Sequence, residues 1–168
     1  MGMGETVRKI NIIGDIDSDS YSAFVVELDA LEADSHKDIT IELSSEGGVA
    51  LDALAFSSRM RVSPCKFIIR AYGLVGSAAV LVLASGDKRI MTRESWLYVH
   101  EDQNPKERES TSQKEKSAKQ MRTFENQWNQ LLEFYTKTSA ELWADLHRKD
   151  IFIPAEECVK LGIIDEVI

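Results

Sequence analysis

Apolar and polar positions along the chain alternate between two periods. Residues 7–13 (VRKINII) alternate and then run apolar up to Gly14-Asp15, the pattern of a strand that ends in a turn. Over residues 18–34, Tyr21, Phe24, Val25, Leu28 and Leu31 recur at spacings of three and four. That spacing predicts an amphipathic helix, with Ser18 or Asp19 at its cap. The pair then repeats as a strand over 39–43, a loop Ser44-Ser45-Glu46-Gly47-Gly48, a helix over about 49–62 and a strand over 66–71. A third round predicts a loop Tyr72-Gly73-Leu74-Val75-Gly76, a helix over about 77–84, and short strands near 88–91 and 96–99. No strict sequence repeat accompanies this alternation, which implies an α/β domain with much parallel pairing. In such folds, catalytic groups gather at the loops that follow strands.

Past His100 the pattern changes. Residues 101–120 are almost wholly polar, and Ala118, Met121, Phe124, Trp128, Leu131, Leu132 and Tyr135 then mark one stripe of a long helix. Large aromatics such as Phe124 and Trp128 exceed what a lone surface helix needs, so the stripe either packs on the domain or faces a partner. A helix over about 139–148, a strand-like IFI at 151–153, a Pro154-initiated helix to Leu161, a stop at Gly162 and a last strand IIDEVI complete the reading.

A chain of 168 residues buries roughly 70% of its unfolded surface, enough for one core without disulfides or metal, so residues 1–168 read as a single domain. The net charge of −8, without a basic cluster, argues against nucleic acid and membrane surfaces, where binding rests on Lys and Arg. The longest uncharged stretch, Ala71 to Gly86, is 16 residues and includes three Gly and two Ser. It falls short of a membrane span and reads as buried core. Cys65 and Cys158, far apart and in no C-x-x-C unit, read as free, reduced, partly buried thiols of a cytoplasmic protein with no signal peptide.

Chemistry concentrates around Ser77, which follows Gly76 at the expected start of a buried helix. There, unpaired N–H groups could meet the oxyanion formed when a serine attacks a carbonyl. The plainer reading is that small residues let this helix pack closely, since the segment is not the G-x-S-x-G elbow of lipases. Of the three histidines, His36 sits in a charged loop and His147 near a helix end, where the helix dipole accounts for it. His100 ends an apolar strand just where the chain turns polar, as an imidazole at a cleft rim would.

Five segments in order resemble the ClpP family of serine peptidases: Gly47-Gly48, Tyr72 to Ala79, Tyr98-Val99-His100, Arg148 to Glu157, and Leu161 to Asp165. The resemblance spans the chain from about Ile10. It implies the fold shared with crotonases, repeated ββα units with a protruding handle helix at about 106–137 through which two seven-membered rings stack. It also implies Ser77 as nucleophile, His100 as general base and acid, and Asp150 as the carboxylate that fixes the imidazole tautomer. The backbone N–H groups of Gly48 and Ala78 would form the oxyanion hole. The implied activity is endopeptidase cleavage of peptides or unfolded proteins in a homo-oligomeric ring, without a cofactor or metal in this chain. No G-x-x-x-x-G-K-[ST] loop occurs, so ATP would enter only through a separate AAA+ unfoldase.

The chain departs from the family pattern at Glu46, where Pro is usual, and at Glu101-Asp102 in place of Gln-Pro. Asn104 to Glu109 replaces the Gly-rich strand that lies beside bound peptide, and the axial N-terminal segment is expected to be absent or very short. Competing readings are a catalytically silent subunit of such a complex, an acyl-CoA enzyme of the crotonase fold, a phage-type maturation peptidase, and a Ser/Lys mechanism drawing on Lys88.

Overall fold

Five strands form a parallel ladder in the order β1-β2-β3-β4-β7: β1 Lys9–Ile13, β2 Ile39–Ser45, β3 Phe67–Gly76, β4 Lys88–Met91 and β7 Glu166–Val167. They belong to a computed structural model that describes residues 8–101 and 111–168. Helices α1 (Ser18–Asp34) and α2 (Ala50–Val62) connect the first three strands, and α3 (Ala79–Ala84) connects β3 to β4. These repeated β-α units match the α/β class expected from the alternating periods. Ile10, Ile41 and Ile69 from adjacent strands are fully buried, as are Leu28 and Phe56 from the covering helices. The Phe24 and Phe56 rings meet at 4.9 Å between α1 and α2. Removing a side chain such as Phe56 would cost about 3–5 kcal/mol.

The segment Tyr72–Gly76 is strand rather than the expected loop. After Gly73, which takes φ +64°, β3 leaves β4 and pairs in parallel with β5 (Trp96–Val99), matching Leu74, Val75 and Gly76 to Trp96, Leu97 and Tyr98. Backbone pairing overrides the local glycine signal here. The fork carries the end of β3, and Ser77 just beyond it, away from β4. Strand β6 (Ile151–Pro154) runs antiparallel to β5. The first helix is capped by Asp17, whose side chain accepts from the Ser20 N–H, rather than by Ser18 or Asp19. The final strand is only two residues long.

The long helix α4 spans Thr111–Tyr135, and α5 follows at Ala140–Lys149. The expected stripe divides between its two readings. Leu132 is buried against the domain, whereas residues 118–120 are exposed and Met121 and Phe124 are half covered. Residues 106–110 of the expected handle, Asp102, and the segment Asn104 to Glu109 lie outside the described residues. Arg89 of β4 holds the Asp165 carboxylate with two donors at 2.9 Å and donates a third hydrogen bond to the Tyr135 carbonyl, joining sheet, C-terminus and α4. A last helix, α6 (Ala155–Lys160), packs below β6. Among the described residues no helix is long and apolar enough to cross a membrane.

Candidate active site

Ser77 leaves β3 in a left-handed conformation, φ +50°, a region that non-glycine residues enter at a cost of about 1–3 kcal/mol. Its surroundings hold it there. The Ser77 N–H donates to the Tyr98 carbonyl at 2.9 Å, and its own carbonyl accepts from the Val80 N–H at 3.0 Å. The Gly47-Gly48 loop presses against it: a Cβ on Gly47 would stand 2.6 Å from Ser77 Cβ and 3.1 Å from the Ala78 nitrogen. A Cβ on Gly48, which takes φ +149°, would stand 2.2 Å from the Ile16 carbonyl oxygen. Both glycines are therefore required by close backbone approach. Neither the Gly48 nor the Ala78 N–H donates to an acceptor among the described residues. Two unpaired donors thus lie beside one serine.

The three residues Ser77, His100 and Asp150 come from the ends of β3, β5 and α5. Among the described residues, no hydrogen bond joins Ser77 to His100, or His100 to Asp150. His100 Nδ1 lies 2.7 Å from the Glu101 carbonyl oxygen. A carbonyl only accepts, so Nδ1 carries a proton, and in the neutral imidazole Nε2 is then the free nitrogen. Asp150 follows α5 in a left-handed conformation, φ +50°, and its Oδ1 accepts from the Tyr98 hydroxyl at 2.7 Å. Gly48, Ser77, Ala78, His100, His147 and Trp128 line one cavity of about 360 Å³, which has Phe124 on its α4 side.

The family model for Clp protease matches residues 3–168. The chain belongs to the Clp protease family. It is accordingly a serine protease, and the resemblance drawn from the five motifs holds over nearly the whole chain. Among solved structures, a point mutant of ClpP1 from Listeria monocytogenes shares the fold with a TM-score of 0.87. The match covers 96% of this chain and 91% of that chain at 21% identity.

In this Clp protease family member, the structure departs from the sequence reading at several side chains. His100 Nδ1, expected to face the Asp150 carboxylate, meets the Glu101 carbonyl in this structure. His147, read as a helix-end residue serving the dipole, lines the cavity instead, with its Nδ1 2.7 Å from the Trp143 carbonyl. Burial, despite that backbone hydrogen bond and aided by nearby His100, lowers its pKa below the usual histidine range, so it stands neutral at pH 7. Lys88 is bound to Glu166 at 2.6 Å and sits opposite Ile68. That is eight positions along β3 from Gly76 (76 − 68), roughly 20 Å or more at ~3.3 Å per residue. It cannot serve as base for Ser77, which excludes a Ser/Lys mechanism drawing on Lys88. His36 is exposed in its loop, and both cysteines are free and buried. Burial pushes the Cys158 thiol up to about 12, so it is inert at neutral pH.

Tyr98 could not be singled out from sequence, because a tyrosine inside an apolar strand reads as packing. Only the antiparallel pairing of β5 with β6, which brings Asp150 to the end of β5, gives its hydroxyl a partner.

Proposed function

We propose that the chain cleaves peptide bonds in unfolded chains or peptides through an acyl-enzyme on Ser77, with His100 as general base and then acid, and Asp150 as the orienting carboxylate. One observation carries the reading: the unpaired Gly48 and Ala78 N–H groups, the Ser77 hydroxyl and the His100 imidazole all border one cavity. Ser77 Oγ attacks the scissile carbonyl and gives its proton to His100 Nε2, the nitrogen left free by the Glu101 contact. The tetrahedral oxyanion is met by the two backbone donors, each worth about 3–4 kcal/mol to the transition state. His100 then protonates the leaving amine, and water, deprotonated by the same imidazole, releases the acyl group. The Ser77–His100 and His100–Asp150 hydrogen bonds close on the bound substrate, as catalytic contacts commonly do.

The working form is a ring of copies of this chain in the cytoplasm, fed by an AAA+ unfoldase that supplies the ATP hydrolysis. Support for self-assembly comes from apolar side chains that are exposed among the described residues. Ile13, Val49 and Leu51 are exposed where β1 ends and α2 begins, around the Ile16–Gly48 bridge. The outer part of α4 is the expected ring-to-ring contact.

The test is hydrolysis of a fluorogenic peptide and of an unfolded protein by the purified chain, measured together with its assembly mass by analytical ultracentrifugation. Hydrolysis by an assembly much larger than one protomer, absent in Ser77→Ala and His100→Ala, is the expected result. Equal hydrolysis by Ser77→Ala would refute the assignment of the nucleophile.

A further inference from the structure

Tyr98 touches all three residues proposed as the triad, through three different groups. Its backbone carbonyl accepts the Ser77 N–H at 2.9 Å. Its ring stacks on the His100 imidazole, with centroids 5.1 Å apart and planes 23° from parallel. Its hydroxyl donates to Asp150 Oδ1 at 2.7 Å. The ring also stacks on Phe152 at 4.3 Å and 17°, its direct partner across the β5–β6 pair, so the hydroxyl has a fixed origin.

Asp150 itself lies exposed just past the end of α5, and among the described residues its side chain has no cation or N–H donor. A carboxylate in that position would otherwise rotate freely about its side-chain bonds. We propose that Tyr98 is the positioning residue of the Asp150 carboxylate: its hydroxyl holds Oδ1 and leaves Oδ2 to receive the His100 Nδ1–H once the imidazole leaves the Glu101 carbonyl. This rests on the triad reading above. The Tyr98 phenol is protonated at neutral pH, as a tyrosine ordinarily is, and the hydrogen bond to Asp150 raises its pKa further.

The experiment is a double-mutant cycle on the full chain, with Tyr98→Phe, Asp150→Asn and the pair, read as kcat and KM on a fluorogenic peptide. Tyr98→Phe keeps the ring and its stacking. It is expected to lower kcat about tenfold with KM within twofold, and to add nothing in the Asp150→Asn background. Tyr98→Met, which loses the hydroxyl while keeping an apolar side chain, is the second variant should the first misfold, with the same non-additivity expected. A wild-type or raised kcat in Tyr98→Phe overturns the proposal, as does an equal loss with Asp150→Asn present, which would mean the tyrosine acts on the fold. If Asp150→Asn itself leaves kcat unchanged while Ser77→Ala is inactive, the carboxylate has no triad role and the proposal falls with it. A failure of the triad reading is thereby told apart from a failure confined to Tyr98.

Discussion

The candidate site has one half made of backbone and another made of side chains, and the two are held very differently. Gly47 and Gly48 pack so closely on Ser77, Ala78 and Ile16 that neither has room for a single added carbon, and the Gly48 and Ala78 N–H groups have no acceptor among the described residues. His100 and Asp150 are instead bonded to Glu101 and Tyr98 rather than to each other. Groups that stabilise developing charge are most effective when they need no reorganisation. Groups that carry a proton need only reach their partner when substrate is present. The backbone half is therefore the one that sequence must specify residue by residue, and the side-chain half has Glu101 and Tyr98 as its partners.

Substitutions can test this division from the largest effect down. Ser77→Ala or His100→Ala should each lower kcat on the order of 10⁶-fold, since triad members act as a unit. Asp150→Asn should cost about 10⁴-fold in kcat while leaving the melting temperature unchanged, because its side chain is exposed and, among the described residues, is hydrogen-bonded to Tyr98 alone. Gly48→Ala should cost about 10²–10³-fold in kcat, the worth of one oxyanion donor. Unlike Asp150→Asn, it should also lower the melting temperature, because its Cβ would meet the Ile16 carbonyl. A Gly48→Ala protein with wild-type melting and activity would remove the distinction between the halves.

Two smaller effects follow from titration. Burial alone would raise the Asp165 pKa, but the Arg89 hydrogen bonds outweigh it and hold this carboxyl below the ordinary value of 3.8. A group depressed in the folded state contributes stability above its unfolded pKa, and that contribution is lost as pH falls through the folded one. Asp165→Asn should therefore flatten the acid limb of unfolding below about pH 4, measured by circular dichroism. In Asp150→Asn, the Tyr98 phenol should titrate at lower pH than in the wild type, because the carboxylate that raises it is gone. Carbon-13 NMR of labelled tyrosine would report the shift.

Much of the fold was legible because each element carries its own period: three β-α rounds, the long α4 stripe and the Pro154 helix start all appear at the expected places. The Tyr72–Gly76 segment reads as a loop in sequence because its glycines signal a turn locally, while its pairing to β5 is a non-local effect. The backbone half of the site was legible too, since only glycine fits at positions 47 and 48. The partners of His100, Asp150 and His147 were not, because a carbonyl acceptor or a neighbouring strand leaves no mark in residue type. His147 shows the difference most plainly: near a helix end it invites a dipole reading, yet its depth in the cavity makes it neutral.

The most direct measurement is covalent labelling with a fluorophosphonate, located by mass spectrometry on the tryptic peptide spanning residues 71–88, which contains both Ser77 and Ser85. Modification of Ser77 alone, lost in His100→Ala and Ser77→Ala, is the expected result. Modification of Ser85 or of another serine, or equal labelling in Ser77→Ala, would contradict a nucleophile preassembled between the Gly48 and Ala78 donors.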